Sequence, residues 1–348
     1  MKFILSTVLG GVLIGLIGPA GAAPGDSIYA RPGQRVAANG TRLNLYCAGS
    51  GSPAVIFESG FEDWAPAWAV VQPRVAAWTR ACSYDRAGAG FSDAGPLPRT
   101  SVRIADELKA ALEAAGIEGP YILVGHAFGG DNVRTFAVRH TSAVAGLVLV
   151  EADATDLEPP DLQEDDHRGN ARGVAQLRAC RDAVASGRPL PPLGSTAARP
   201  PRTCAQQFFR GLPEAEWSAE LNAKLLELAT TKVALYDAFI SEWEEMANDE
   251  AYLKDHPLDL GARPLRVIST GNHGVGSLAE PDPPSLEHLR YEYEATLAQS
   301  RWLRSSTNAR QIFAQRSSEY VQFDEPDTVV NAIREVFDAV KSQGHPAH

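Results

Sequence analysis

The chain has 348 residues, 44% hydrophobic and 22% charged, an ordinary globular balance that excludes disordered, collagen-like and low-complexity classes. Its 32 basic residues against 43 acidic give a net charge of −11. No run of Lys or Arg offsets that charge, so a nucleic-acid-binding role lacks its basic footprint.

Lys2 precedes an apolar run from Phe3 to Ile17, followed by small residues through Ala23. A basic start, a short apolar core and Ala20-Gly21-Ala22 read as a signal peptide over residues 1–22, which implies a secreted or periplasmic protein. The run is shorter than the roughly 20 residues of a bilayer span, and no later stretch reaches that length, so stable membrane insertion is not expected. The four cysteines are Cys47, Cys82, Cys180 and Cys204. An even count in an exported chain favours disulfides, and no two cysteines stand at the two-residue spacing of a zinc knuckle. Cys47 ends one predicted strand and Cys82 sits in another, while Cys180 and Cys204 share a later helical region. Cys47–Cys82 plus Cys180–Cys204 is the expected pairing; free buried thiols are the alternative.

In chain order, Arg35–Ala38, Asn39-Gly40 and Thr41–Cys47 predict a hairpin with a tight turn. Pro53–Glu58 and Thr79–Arg86 read as apolar strands, with helical spacing over Trp64–Ala77 between them. Ser101–Ala115 is a predicted helix with Ile104, Leu108, Ala111, Leu112 and Ala115 on one face. Tyr121–Val124 is a strand, followed by a helix to about Arg139 and the strand Ala145–Val150. Strands without alternation, separated by helices, indicate a parallel sheet buried on both faces. From Asp153 to Ala262 the pattern changes. Glu158–His167 reads as a solvated acidic loop, Gly187–Arg202 is rich in Pro, Gly and Ala, and the helical stretches that follow carry aromatic residues. This predicts a helical cap over residues 153–262, with residues 23–152 and 263–348 as the core. The sheet pattern resumes at Leu265–Ser269 and Gln311–Ala314, and a helix begins at Pro326.

Tyr121–Gly130 reads YILVGHAFGG. This is the strand–turn–helix setting of a Gly-x-Ser-x-Gly nucleophile elbow, with Ala127 where Ser is expected. With LYCAGSGSPAVIFESG (Leu45–Gly60), ACSYDRAGAGFSD (Ala81–Asp93), GPYILVGH (Gly119–His126) and AGLVLVEAD (Ala145–Asp153), the chain resembles the α/β-hydrolase superfamily over Arg35–Val340. The likeness is strongest to an exported bacterial group of ester-hydrolase-like members. It implies an α/β fold with a mostly parallel eight-stranded sheet and a helical cap. It also implies oxyanion donors at the backbone N–H groups of Phe61 and Phe128. Where the family carries its basic His, this chain has Glu319, in Ser317-Ser318-Glu319-Tyr320. The acid position falls to Glu151 or Asp153, and the loop after Leu265–Ser269 offers His273.

Loss of the nucleophile costs a triad hydrolase on the order of 10⁶-fold in turnover. The sequence therefore points to non-covalent acid/base chemistry by Glu319, with His273, on a small and mostly apolar carbonyl compound: hydration, elimination, isomerisation or cyclisation. Two other readings stand beside it. One is a non-catalytic small-molecule-binding protein; the other is a serine esterase or amidase whose nucleophile was replaced by Ala127. His126 is expected to pack beside the elbow. No motif calls for a cofactor or a metal: Gly88-Ala89-Gly90 lacks the third glycine of a dinucleotide site, and Glu164–His167 lacks ligand spacing.

Overall fold

The computed structural model describes residues 26–193, 202–270 and 286–343. The leader reading at residues 1–22 and the expected base His273 lie outside them. Strands β1 (Gln34–Ala38) and β2 (Thr41–Ala48) form the hairpin, turning through Asn39 (φ 43°) and Gly40 (φ 95°), the left-handed pair that a tight hairpin requires. β3 (Val55–Glu58), β4 (Ala81–Asp85), β5 (Tyr121–His126), β6 (Val144–Val150), β7 (Leu265–Thr270) and β8 (Ala309–Ala314) complete an eight-stranded sheet in the order β1-β2-β4-β3-β5-β6-β7-β8. β1–β2 and β2–β4 pair antiparallel, and every later pairing is parallel. Successive residues of the central strands point to opposite faces. Phe57, Val124 and Val150 enter one core layer, while Ile56, Leu123 and Leu149 enter the other.

Cys47 and Cys82 stand opposite each other in the β2–β4 ladder and form a disulfide, and a second joins Cys180 to Cys204. The segment Trp64–Ala77, expected as one helix, is two short pieces: a 3-10 turn at Ala65–Trp68 and helix α1 (Gln72–Ala76). Pro66 and Pro73 each start a piece, because proline lacks the N–H that would continue a helix. Helix α2 (Ser101–Ala114) is capped by the Thr100 side chain, which accepts the Arg103 N–H at 3.2 Å. Helix α3 (Phe128–Arg139) follows β5.

Between β6 and β7 lie helices α4 (Pro160–Ala185), α5 (Ala219–Thr231) and α6 (Val233–Asp255). The acidic stretch expected as a loop is the first part of α4. Pro160 opens that helix, and Arg168 answers the charges of Glu164 and Asp165 one turn back. Several hydrogen bonds clasp the helical segment to the rest of the fold. Lys232 donates to the carbonyls of Gly90 and Ser92, both at 2.7 Å, and Asp249 accepts the Ser101 N–H at 3.0 Å. Helices α7 (Leu286–Arg301), α8 (Val321–Asp324) and α9 (Pro326–Gln343) flank β7 and β8. Among the described residues no helix is long and apolar enough to cross a membrane.

Candidate functional site

The register brings the C-terminal ends of β3, β5, β6, β7 and β8 to one edge, since Glu58 faces Gly125, His126 faces Val150 and Ala314 faces Thr270. The loops leaving that edge build the site, as expected for an open parallel sheet. Ala127, between β5 and α3, is held at φ 47° and ψ −127°, a conformation that L residues avoid. The turn is tight because both flanking glycines touch backbone. A Cβ on Gly125 would lie 2.3 Å from the Gly129 carbonyl oxygen, and one on Gly129 would lie 2.6 Å from that of Glu58. Gly129→Ala is accordingly expected to cost about 1–3 kcal/mol in thermal or urea unfolding, the usual range for overpacking.

Four non-glycine residues at positive φ surround this edge: Glu62 (60°), Ala127 (47°), Glu151 (42°) and Phe209 (55°). Such strain persists only where the surroundings impose it, and it gathers at functional sites.

Above Ala127 is a cavity of about 300 Å³ that Phe61, Asp153 and Glu319 also line. Glu151 does not reach it. That residue faces an adjoining cavity of about 190 Å³, to which Asp153 and Glu319 also contribute. Its carboxylate accepts the Thr270 backbone N–H and the Gln299 amide, tying the end of β6 to β7 and α7. Phe128 is fully buried, and its ring stacks on Phe61 at 3.9 Å between centroids. Because Phe128 opens α3, its N–H has no partner within that helix. Arg316, the residue best placed in sequence to neutralise Glu319, pairs with Glu325 instead. Glu319 therefore stays open to the cavity, and the protein around it pushes its carboxyl up to about 7, with the charge of Glu151 adding to the effect.

Sequence reasoning missed several residues of the lining. His126 packs beside the elbow but also faces the cavity. Its Nε2 lies 3.1 Å from the Glu319 carbonyl oxygen and donates to it, which leaves Nδ1 as a buried acceptor without a hydrogen-bond partner among the described residues. Burial lowers its pKa to about 4, so the ring is neutral. Glu62 and Asp63 follow β3. Glu62 accepts from Trp243 Nε1 at 3.1 Å and Gln207 at 3.2 Å, and Asp63 Oδ1 accepts the Phe209 N–H at 2.9 Å. Asp166 comes from α4, Trp243 and Met246 from α6, and Tyr291 from α7. The lining is far more acidic than the mostly apolar pocket expected from sequence, because helix α4 and the turn after β3 both present carboxylates to it. The available signals were the Glu62-Asp63 pair directly after Ser59-Gly60-Phe61 and the acids at the start of α4, of which Asp166 faces the cavity.

A buried cation holds this architecture together. Arg86, 2% exposed, uses all five of its N–H donors. Two go to Glu242 of α6, both at 2.8 Å, and one to Glu58 at 2.9 Å. The other two go to the carbonyls of Ser59 at 2.6 Å and Gly60 at 2.8 Å. The residue thus fixes the loop that carries the Phe61 N–H and fastens α6 above it. Among the described residues no group of three or more His, Cys, Asp or Glu is arranged to hold a metal ion.

Residues 53–252 match the family described as alpha/beta hydrolase fold. The uncharacterized protein YqjL of Bacillus subtilis is 24% identical over 304 residues, 86% of this chain and 89% of that protein. An uncharacterized protein of Schizosaccharomyces pombe is 43% identical over 82 residues, 24% of this chain, and the match spans only 15% of that protein's length. A thermophilic esterase from Thermogutta terrifontis, solved with malate bound, has the same fold. Its TM-score is 0.58 at 18% identity, with 88% of this chain and 98% of that chain covered. With more than half of its length matched and the strand order in place, the chain belongs to the α/β-hydrolase fold family.

Proposed function

We propose that this protein is an exported enzyme that binds a small carbonyl compound over Ala127 and moves protons on it without an acyl-enzyme. The observation that carries this reading is that Glu319 and Ala127 line one cavity. In this reading residues 1–22 are a leader and residues 153–262 form a cap over the core. The N–H groups of Phe61 and Phe128 hold the carbonyl oxygen, which stabilises charge that develops there. Glu319, with its carboxyl pushed up to about 7, gives and takes the proton. His126 Nδ1 and Asp153 are acceptors in the same cavity, and His273 is a further candidate from the loop after β7. Hydration, elimination, isomerisation and cyclisation can all run on such a set without a nucleophile from the protein, since in hydration water supplies the attacking oxygen and in cyclisation the substrate itself does.

The test is exchange of the α-hydrogens of 4-phenyl-2-butanone in D₂O, followed by proton NMR. The protein is expected to accelerate exchange, and Glu319→Gln to lose about 10²–10⁴-fold of that acceleration. Ala127→Ser is expected to show no burst of p-nitrophenol from p-nitrophenyl acetate, because Glu319 stands where the family's His is expected. Exchange at the solvent rate, an unaffected Glu319→Gln or an acylation burst would each overturn the reading.

A further inference from the structure

The atoms of the cavity that lack partners share one character. His126 Nε2 is spent on the Glu319 carbonyl, so its Nδ1 offers a lone pair. Asp63 is 1% exposed; its Oδ1 takes the Phe209 N–H, and its Oδ2 has no hydrogen-bond partner among the described residues. Both atoms belong to residues that line the cavity, and among the described residues neither meets a donor. Glu319, Asp153 and Asp166 add carboxyl groups around them, while no described Lys or Arg lines the space. The buried cation close by, Arg86, has no donor left. Aromatic rings complete the wall: Trp243, whose one face covers Phe61 at 4.2 Å, and Tyr320.

We propose that the ligand of this cavity carries a positively charged nitrogen with N–H donors, a primary ammonium or guanidinium, held by Asp63 and His126 beside the rings of Trp243 and Tyr320. A buried carboxyl oxygen and an imidazole lone pair left bare are costly, and a donor-bearing cation satisfies both at once. The aromatic faces attract the same charge. The described acids are not arranged to ligate a metal ion, which favours an extended organic cation. The inference deepens the proposed function and rests on it for the location of the ligand: the substrate becomes a carbonyl compound that also bears an amine.

Isothermal titration of the full chain with benzylamine and with benzyl alcohol, near neutral pH, tests it. Benzylamine is expected to bind at least about tenfold tighter than the alcohol. Asp63→Asn is expected to remove about tenfold of the amine's affinity while changing the alcohol's by less than about twofold. Should Asp63→Asn fail to fold, His126→Phe, which removes the other acceptor, is expected to show the same split. Equal affinities, no amine binding, or variants that weaken both probes alike would overturn the inference. If those results came with ketone exchange that still depended on Glu319, the proposed function would stand and only the cation would fall.

Discussion

Arg86→Met is expected to lower the melting temperature by roughly 10 °C. The substitution removes one partner of a buried ion network and strands two carboxylates, Glu58 and Glu242, which are 1% and 0% exposed. Breaking a buried pair from one side typically costs about 3–5 kcal/mol, which in a chain of this size corresponds to a shift of that order. The carbonyls of Ser59 and Gly60 lose their donors as well, so the loop carrying the Phe61 N–H loosens. Arg86→Lys is expected to rescue little, since a single ammonium cannot reach two carboxylates and two carbonyls in the directions a guanidinium spans. Circular dichroism melts of both variants check this. A shift below about 2 °C would show that the network contributes geometry and not stability.

Stability is expected to fall as pH rises from about 6 to about 8. Burial pushes Glu62 and Asp249 up to about 7, and Glu151 up to about 8. In the unfolded chain the same groups ionise near 4.5 for Glu and 3.8 for Asp. The unfolded state therefore releases their protons first, and stability present in acid is lost as pH climbs toward the folded values. Two groups act in the opposite sense. Burial lowers His126 to about 4, so the unfolded state takes up a proton there below about 6.5, and Lys232 is lowered to about 8, which matters only above that pH. Between about 6.5 and 8 the acids act unopposed. Each pKa unit corresponds to about 1.4 kcal/mol, so partial expression of these shifts amounts to a few kcal/mol. A melting temperature about 5–10 °C lower at pH 8 than at pH 6 is expected by differential scanning fluorimetry. A flat or rising profile would contradict it.

Much of the fold is legible locally. Unalternating apolar strands such as Val144–Val150 carry their burial in their own composition, and Asn39-Gly40 carries its turn in its backbone preferences. The Gly125 and Gly129 pair marks the elbow because only glycine fits those contacts. Two elements differ from their sequence reading for identifiable reasons. The acidic start of α4 suggests a solvated loop by its charge, yet Pro160 and the Arg168 pairs support a helix there. Over Trp64–Ala77 the apolar spacing is helical, but two prolines divide the segment.

The site divides along the same line. Motif position is enough to put Ala127 at the elbow and Glu319 where a His is expected, because both lie at fixed places relative to a strand and the helix after it. Which carboxylates share the cavity is a matter of packing. Glu62, Asp63, Asp166 and Glu319 come from distant segments, and nothing in their local sequence says that they converge. Packing also makes Glu151 brace β7 instead of facing Ala127, and leaves one His126 nitrogen without a partner among the described residues. Hydrogen-bond saturation depends on what other elements bring within about 3 Å, a property that local sequence does not encode.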